Sequence, residues 1–351
     1  MIQLREEYQH PAHIATVEHC KSTNKPAIHD QTVGAGKTIQ IGFFAKHVAD
    51  KGGRVLCIAR QGELIEQNSD DYRLIGGKCS IYSASLNRKS TYYPVVFGTE
   101  GTIARDLDGV FKAMPFNALL IDECHHVDWQ DCLIDDPQTQ YGKIINHFLS
   151  INPKMRIIGY TGSPYRNNAS IIGEFWDKKL SEVGTYQLIN LGYLVPPVFG
   201  FGDDAHNYDL KEFKPSGNQG DFTQQELLAM GRKITKDQTK TQLIMEEVIE
   251  RTKNMLGVLI TCASKKHCEQ VAECLPCGTW GIITDSTSTK KRRELLAKAK
   301  TGEIKYMLQI GCLTTGVNVP YWQVCVILRR IGSLVLITQL IGRILRTLKP
   351  N

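Results

Sequence analysis

The sequence contains no long hydrophobic run, and none approaches the roughly 18 consecutive apolar residues of a membrane-spanning helix. Residues 1–7 also contain no apolar segment of the kind found in a secretory signal peptide. With 42% hydrophobic and 22% charged residues, the composition is typical of a soluble globular protein. We therefore expect a cytoplasmic protein with no membrane partner.

Closely paired cysteines are also scarce. The eleven cysteines are an odd number, and most stand alone in apolar stretches, which is typical of free thiols in a reducing compartment. The one tight pair is Cys274 and Cys277, with His267 and Cys268 just upstream. A structural zinc site requires a second pair, and the sequence offers none. A metal or redox role for this segment is therefore disfavoured.

The chain has no extreme charge. Its net charge of +6 suits an anionic partner without requiring one. Its 351 residues are enough for two domains of ordinary size.

No residue repeat is apparent, yet short apolar segments alternate with helix-length segments in two parts of the chain. The predicted strands are 54–59, 95–97, 118–121 and 156–160, then 258–261, 280–284, 306–310 and 323–328. Strands that alternate with helices predict parallel sheets. Prolines and glycines between 195 and 236 indicate a connector with a helix near its end. The predicted fold class is α/β, with domains at 1–194 and 237–351 joined by a linker at 195–236.

The most informative stretch is Gln31–Thr38. Gly34 and Gly36 allow a tight loop whose backbone N–H groups point at a phosphate chain. Lys37 can reach the β- and γ-phosphates, and Thr38 can place its hydroxyl on Mg²⁺ at the start of the next helix. Gln31 replaces the usual first glycine, and the preceding strand, 26–30, is unusually polar. Taken alone, the pattern also fits an ordinary glycine-rich turn.

Two acids follow a buried strand at 118–121. Asp122 can hold Mg²⁺, because hard cations prefer carboxylate oxygens and ligands bind at the carboxyl ends of parallel strands. Glu123 can orient or deprotonate the water that attacks the γ-phosphate. The alternative is an ordinary acidic loop at a strand end, but the phosphate-loop pattern upstream favours the catalytic interpretation.

Several motifs occur in the order found in superfamily 2 helicases. Motifs I, II, III, V and VI correspond to Gly34–Thr38, Asp122–His125, Thr161–Arg166, Leu313–Pro320 and Gln339–Arg346. Motifs Ia and Ib correspond to Ala59–Asn68 and Phe97–Arg105. The chain thus resembles a DExH-type helicase of superfamily 2 over nearly its whole length. The residues of its motifs are most similar to those of RadD (YejH)-type bacterial DNA-repair helicases.

The resemblance implies two tandem RecA-like domains that use ATP and Mg²⁺. The first carries motifs I, Ia, Ib, II and III, and the second carries motifs IV, V and VI. The implied nucleotide-binding residues are Gln9, Val33, Gly34, Ala35, Gly36, Lys37, Thr38, Gly316 and Asn318. The implied catalytic residues are Lys37, Asp122, Glu123, Gln339, Arg343 and Arg346, with Thr38 and Asp122 on the metal. Thr161 and Ser163 are expected to couple the ATP site to the nucleic acid.

Arg343 and Arg346 are three residues apart in a predicted helix at 333–347, so both can point the same way. Across a cleft from the phosphate loop they would act as arginine fingers in the transition state. A pair of arginines on a helix is usually a solvated face. Gln339 on the same side and an otherwise apolar helix favour the catalytic interpretation.

Nucleic-acid contacts are expected in loops that follow other strands: Arg60, Gln61, Gly98, Thr99, Ser264 and Lys265. Short hydroxyls, backbone N–H groups and basic side chains bind phosphates without reading sequence. Single-stranded or branched DNA is the expected partner. RNA is disfavoured because the N-terminal pattern of DEAD-type RNA helicases is not seen.

The sequence departs from the family pattern at several positions. Val33 stands where threonine is usual, Gly162 and Ser163 where alanine and threonine are usual, and Asn318 where aspartate is frequent. The adenine-reading motif appears at 5–9 with one residue extra, so Gln9 is carried over on a weaker match. Relatives continue beyond the motif VI helix, which leaves open a fragment or a natural minimal form.

Three functions are consistent with these observations. The first is an ATP-dependent DNA translocase or helicase of repair or recombination. The second is the motor subunit of a restriction or phage replication system. The third is an ATP-gated nucleic-acid clamp with little turnover, against which the intact Lys37, Glu123 and Arg343 argue.

Overall fold

The computed structural model describes residues 2–166, 169–200, 207–217, 221–311, 313 and 319–347. The chain divides into two compact units, Met1–Leu188 and Ile189–Asn351. Each has its own sheet and its own hydrophobic core. The first unit ends close to the predicted boundary at 194. Among the described residues, no helix is long and apolar enough to cross a membrane.

The first unit alternates strands and helices. Its helices are α1 (Gln9–Ser22), α2 (Lys37–Asp50), α3 (Gly62–Leu74), α4 (Glu100–Ala104) and α5 (Gln140–Ile151), with α6 (Thr185–Asn190) at the division between the units. Its strands are β1 (Ala27–Gln31), β2 (Val55–Ala59), β3 (Cys79–Ser83), β4 (Arg88–Lys89), β5 (Val95–Thr99), β6 (Ala118–Asp122), β7 (Arg156–Thr161), β8 (Tyr165–Arg166), β9 (Ala169–Ser170) and β10 (Lys178–Val183).

Eight of these strands form one sheet in the order β10-β1-β7-β6-β2-β5-β3-β4. All neighbours are parallel except β3 and β4. Successive residues of a strand face opposite sides of a sheet, so Leu56 packs in one core cluster and Val55 in another. Phe148 of α5 belongs to the first cluster and Phe44 of α2 to the second, which makes a three-layer arrangement.

The polar residues of β1 are satisfied by polar neighbours. His29 Nε2 lies 2.8 Å from Thr16 Oγ1 of α1, and its Nδ1 lies 2.8 Å from Ser181 Oγ of β10. Burial lowers the pKa of His29 to about 3, so this side chain is neutral. Asp30 pairs with Lys179 Nζ at 2.6 Å. A polar strand is therefore compatible with the buried sheet because β10, which is also polar, supplies its partners.

The second unit repeats the arrangement on a smaller scale. Its elements are α7 (Gln224–Lys236), α8 (Gln238–Thr252), β11 (Gly257–Thr261), α9 (Lys265–Glu273), β12 (Trp280–Ile283), α10 (Thr289–Thr301), β13 (Tyr306–Gln309), β14 (Trp322–Ile327) and α11 (Leu334–Ile341). Four parallel strands lie in the order β12-β13-β11-β14. Val258 and Leu259 of β11 again belong to clusters on opposite faces.

The predicted linker at 195–236 differs from the structure, because much of it packs within the second unit. Leu210, Phe222, Met230 and Ile234 form a buried cluster with Ala263. Helix α7 begins with a capping box in which Thr223 and Glu226 each bond the other's backbone N–H. Proline and glycine content indicated irregular backbone correctly, but it could not reveal that the apolar residues between them are buried.

The predicted helix at 333–347 is shorter in the structure. Helix α11 ends at Ile341, and Arg343 N–H and Ile344 N–H donate to carbonyls only three residues back. The chain then pairs with the segment after α6: Val195 N–H donates to Leu345 O at 2.9 Å, and Leu194 forms an antiparallel bridge with Arg346. Arg343 and Arg346 therefore do not share a helix face. Pairing with 194–195 replaces the last helical turns, which apolar periodicity could not predict.

Candidate nucleotide-binding and catalytic site

The loop between β1 and α2 has the backbone conformation that the sequence predicted. Gly34 and Gly36 have φ values of 91° and 77°, a region that favours glycine. Gly36 is the N-cap of α2, so Lys37 and Thr38 occupy the first helical turn. Lys37 Nζ donates to Gln31 O at 3.1 Å, which holds the ammonium group over the loop. The loop, the helix N-terminus and this cation together suit a phosphate chain.

Gln31 replaces the first glycine of the usual pattern, and its side chain lies fully buried. Its amide pairs with that of Gln40 in α2, and Gln31 Nε2 also donates to Ser181 Oγ of β10 at 2.9 Å. Gly162 packs against the same strand end, where an added Cβ would lie 2.8 Å from Gln31 O. The two departures are thus explained: Gln31 fastens the loop to its neighbours, and Gly162 permits the close backbone approach.

The N-terminal segment reaches the phosphate loop. Gln9 Nε2 donates to Ala35 O at 2.9 Å, and Tyr8 OH donates to the same oxygen at 3.0 Å. Arg5 in turn donates to Tyr8 OH at 2.6 Å. The structure therefore brings Gln9 to the loop despite the extra residue in its motif, because α1 begins with Gln9 and places Tyr8 and Gln9 side by side.

The two acids lie at the carboxyl end of β6. Asp122 is buried, and its Oδ1 accepts the Glu123 N–H at 3.0 Å. Burial raises the pKa of Asp122, the charge of Glu123 raises it further, and the charge of Lys37 opposes both. Glu123 has a φ of 53°, which is uncommon for a residue other than glycine. Strained backbone of this kind persists where the surrounding structure imposes it, often at functional sites.

The residues of this site fit Mg²⁺. Thr38 offers a hydroxyl oxygen and Asp122 a carboxylate, which are the hard donors that this ion prefers. A bound cation would also relieve the electrostatic cost of a buried carboxylate beside a second acid.

Two residues of α3 that sequence analysis missed contact these donors. Thr38 Oγ1 donates to Asp71 Oδ2 at 2.5 Å, and Asn68 Nδ2 donates to Asp122 Oδ2 at 3.1 Å. Asn68 and Asp71 are three residues apart on one face of the helix. The sequence does show two polar residues three apart on a helix that follows a predicted strand. It does not show which residues they contact.

A chain of contacts runs from Glu123 to the end of β7. His125 Nδ1 lies 2.8 Å from Thr161 Oγ1, which accepts the Ser163 N–H at 3.0 Å. Burial lowers the pKa of His125 to about 4, with a smaller effect from Lys37. His125 is therefore neutral, and its 3.5 Å approach to Glu123 Oε2 is not an ion pair. The structure thus connects Thr161 and Ser163 to the acidic loop.

The nucleic-acid candidates of the first unit divide into exposed and buried residues. Arg60 and Gln61 are exposed at the carboxyl end of β2, where Arg60 Nε lies 3.5 Å from Glu100 Oε1. Gly98 is buried, and an added Cβ would lie 2.7 Å from Ile103 Cδ1. Thr99 is only 7% exposed, and its hydroxyl lies 2.8 Å from Thr102 Oγ1. Packing encloses Gly98 and an internal hydrogen bond engages the Thr99 hydroxyl, so neither residue presents a free side-chain group, and their contacts with nucleic acid stay predictions.

In the second unit, Ser264 and Lys265 begin α9. Ser264 Oγ accepts the His267 N–H at 3.1 Å and so caps the helix. Lys265 is exposed and pairs with Asp285 at 2.9 Å. Lys265 is thus accessible to a phosphate, whereas Ser264 has a structural role as a cap.

The motif VI residues lie at and beyond the end of α11. Gln339 is 7% exposed and Arg343 is 6% exposed. Arg346 is half-buried, and its Nε has no hydrogen-bond partner among the residues that the structure describes. Burial lowers the pKa of Arg346 to about 10, so it remains a cation at neutral pH. Gly316 and Asn318 lie outside the described residues.

Two family models match the chain. Residues 2–166 match the model described as "Type III restriction enzyme, res subunit", and residues 239–347 match "Helicase conserved C-terminal domain". The first match lies within the first unit and the second within the second unit. Each unit therefore matches a different family model.

Similar proteins include a phage protein and restriction enzymes. The chain is 22% identical over 308 residues to a "51.5 kDa protein" of Lactococcus phage (isolate 7-9), covering 87% of this chain and 59% of that one. A fragment of a putative HsdR subunit of a type I restriction enzyme from Vibrio vulnificus YJ016 has 17% identity and a TM-score of 0.66, with 99% of this chain and 62% of that chain covered. The DNA-bound type ISP restriction-modification enzyme LlaBIII has 14% identity and a TM-score of 0.64, with 99% and 27% covered. The chain thus spans less than two thirds of the length of each.

Proposed function

We propose that this chain, which carries the tandem RecA-like domains of the superfamily 2 helicases, is an ATP-driven motor that moves along DNA. The observation that carries the proposal is the set of contacts around Asp122. The Lys37 charge acts on this buried carboxylate, Glu123 follows it in a strained conformation, and Asn68 holds its second oxygen. A glycine-rich loop with Lys37, a buried acid and a second acid lie at the carboxyl ends of strands in one parallel sheet, which supports these roles.

Each residue has a proposed role in ATP hydrolysis. Lys37 and the backbone of the loop bind the phosphates, and Glu123 orients the attacking water and accepts its proton. Thr38 and Asp122 would hold Mg²⁺, which neutralises charge on the β- and γ-phosphates when bound. Gln339, Arg343 and Arg346 of the second unit would stabilise the charge of the transition state.

We propose DNA as the substrate along which the motor moves. The first unit matches the model of a restriction-enzyme subunit, and one structural relative is described as bound to DNA. Arg60 and Lys265 are exposed cations that follow strands β2 and β11 at their carboxyl ends. Such residues suit contacts to phosphates without base recognition.

Among the possible biological settings, the restriction or phage system is the better supported. The restriction-subunit match supports this proposal, and the phage relative and two restriction enzymes of similar fold are consistent with it. A repair role of the RadD type rests only on the similarity of the motif residues to those of RadD-type helicases. A translocase moves along DNA without separating its strands, whereas a repair helicase is expected to separate them, so a direct assay distinguishes the two.

Phosphate release should be measured with no nucleic acid and with single-stranded DNA, duplex DNA, forked DNA and RNA. We expect stimulation by DNA and loss of activity in Lys37→Ala. Displacement of a triplex-forming strand from a duplex, without unwinding of a fork, would support a translocase. Fork unwinding would instead support a repair-type helicase. An absence of turnover on every ligand, with DNA retention that still depends on ATP, would identify a clamp and contradict the proposal.

A further inference from the structure

We infer that helix α3 positions both magnesium-binding side chains of the first unit, through Asp71 for Thr38 and Asn68 for Asp122. This inference rests on the proposed function, because it concerns the Mg²⁺ that accompanies the nucleotide. It adds two positioning residues to a site whose metal-binding donors come from α2 and β6.

Asp71 controls the direction of the Thr38 hydroxyl. A hydroxyl group has one proton to donate and two lone pairs. In the structure Thr38 Oγ1 donates its proton to Asp71 Oδ2 at 2.5 Å. Its lone pairs are therefore left for a cation. Without Asp71, the hydroxyl proton would be free to turn toward the metal-binding side and oppose the ion.

Asn68 fixes the orientation of the Asp122 carboxylate by donating a hydrogen bond to it. Its Nδ2 donates to Asp122 Oδ2 at 3.1 Å, while the Glu123 N–H donates to Oδ1 at 3.0 Å. The two bonds hold the carboxylate from opposite oxygens and leave each with a further lone pair. The orientation of Asp122 is thus set before any ion arrives, which lowers the cost of binding it.

A second observation points to a ligand beside Asn68. The side chain is 2% exposed, and its Oδ1 is buried with no partner among the residues described. Burial of an unsatisfied acceptor is destabilising. Water bound to Mg²⁺ carries protons that need acceptors, and Mg²⁺ keeps several waters when it binds to proteins. Asn68 Oδ1 is therefore suited to accept from a metal-bound water.

Packing alone does not explain these two residues. Leu64, Ile65 and Tyr72 already anchor α3 in the core of the first unit. An aliphatic side chain at position 68 would pack there without the cost of a buried amide. The polar pair on this face of the helix is therefore explained by its contacts with Thr38 and Asp122.

The test is Mn²⁺ binding to the ADP complex, measured by electron paramagnetic resonance on the full chain. Asp71→Ala and Asn68→Ala should each weaken Mn²⁺ binding by about 10- to 100-fold, the range for lost partners of metal ligands. Asp71→Asn keeps an acceptor oxygen for the Thr38 hydroxyl and should lose less than Asp71→Ala. Asp70→Ala is the matched control, because Asp70 is the neighbouring carboxylate, is exposed and pairs with Arg73 at 2.7 Å on the surface of the same helix.

ADP affinity in EDTA separates a positioning role from general damage. We expect it to stay unchanged in Asp71→Ala, because the phosphate loop remains intact. Unchanged Mn²⁺ affinity in both alanine variants, with wild-type binding demonstrated, would overturn the inference. So would an equal loss in Asp70→Ala. If the wild-type chain itself bound neither ADP nor Mn²⁺, the proposed function would fail instead.

Discussion

At the level of single residues, the acidic loop combines a buried strand end with an uncommon backbone conformation. Asp122 ends a buried strand and Glu123 follows it in the left-handed region of φ. His125 is neutral and contacts Thr161, so the loop is also connected to the next strand of the sheet. A change in Glu123 should therefore affect chemistry while leaving the loop in place.

We expect Glu123→Gln to lower DNA-stimulated ATP hydrolysis by about 10²- to 10⁴-fold, because a general base is lost. Nucleotide affinity should change little, since Lys37 and the phosphate loop are untouched. Steady-state phosphate release and equilibrium binding of a fluorescent ATP analogue measure the two effects. A near-normal rate would contradict the catalytic role of Glu123.

Arg346→Ala should reduce turnover by about 10³-fold or more, the effect of an arginine finger in related chemistry. The guanidinium is half-buried and charged, and its Nε has no partner among the described residues. Arg346→Lys keeps the charge without the planar donor group and should rescue only part of the rate. A loss of nucleotide affinity with unchanged turnover would exclude the finger role.

At the scale of elements, α7 shows how a segment predicted as linker becomes part of a domain. Its capping box fixes where it begins, and Met230 and Ile234 are buried with residues of the second unit. The adjoining segment contributes Tyr208, whose hydroxyl lies 2.7 Å from Thr241 Oγ1 in α8. These contacts make the segment a structural layer of the second unit.

Met230→Ala should destabilise the second unit by about 2–5 kcal/mol, because it removes a fully buried side chain. Hydrogen exchange of the backbone amides in β11 and β13 reports this loss for the second unit alone. Leu228→Ala is the control on the same helix, since Leu228 is 52% exposed and should change stability by no more than about 0.5 kcal/mol. Equal, small effects of the two substitutions would restore the linker interpretation.

At the scale of the whole molecule, the net charge of +6 is modest, so DNA binding should depend on a few placed cations. Parallel strands place one set of loops at each edge of a sheet. Arg60 follows the carboxyl end of β2, whereas Lys154 precedes the amino end of β7 at the opposite edge. Both side chains are exposed, which makes them a matched pair for testing where DNA binds.

Arg60→Ala should weaken DNA binding and reduce the slope of log K against log salt by about one phosphate contact. Lys154→Ala should leave the slope unchanged. Fluorescence anisotropy of labelled single-stranded DNA across a salt series measures both. An unchanged slope in Arg60→Ala would remove this residue from the nucleic-acid path.

Much of the architecture was predictable from local signals. Strands β2, β5, β6 and β7 were predicted within a few residues of their observed bounds, because buried parallel strands are short, continuous apolar runs. The α/β class follows from their alternation with helices, and the tandem RecA-like fold was implied by the resemblance that the order of the motifs carries. Strand β10 was not predicted, because Lys178–Val183 is polar and its pairing with β1 depends on partners distant in sequence.

The positions of the loop glycines, of the acids after a buried strand and of most alternating elements could be read from residues close together in the chain. Contacts between residues far apart in the chain became visible in the folded protein alone. It brought Asp71 to Thr38 and Asn68 to Asp122, buried Thr99, and ended α11 before Arg343. The physical reason is that hydrogen-bond partners and burial are set by long-range packing, which competes with local propensity and here prevails over it.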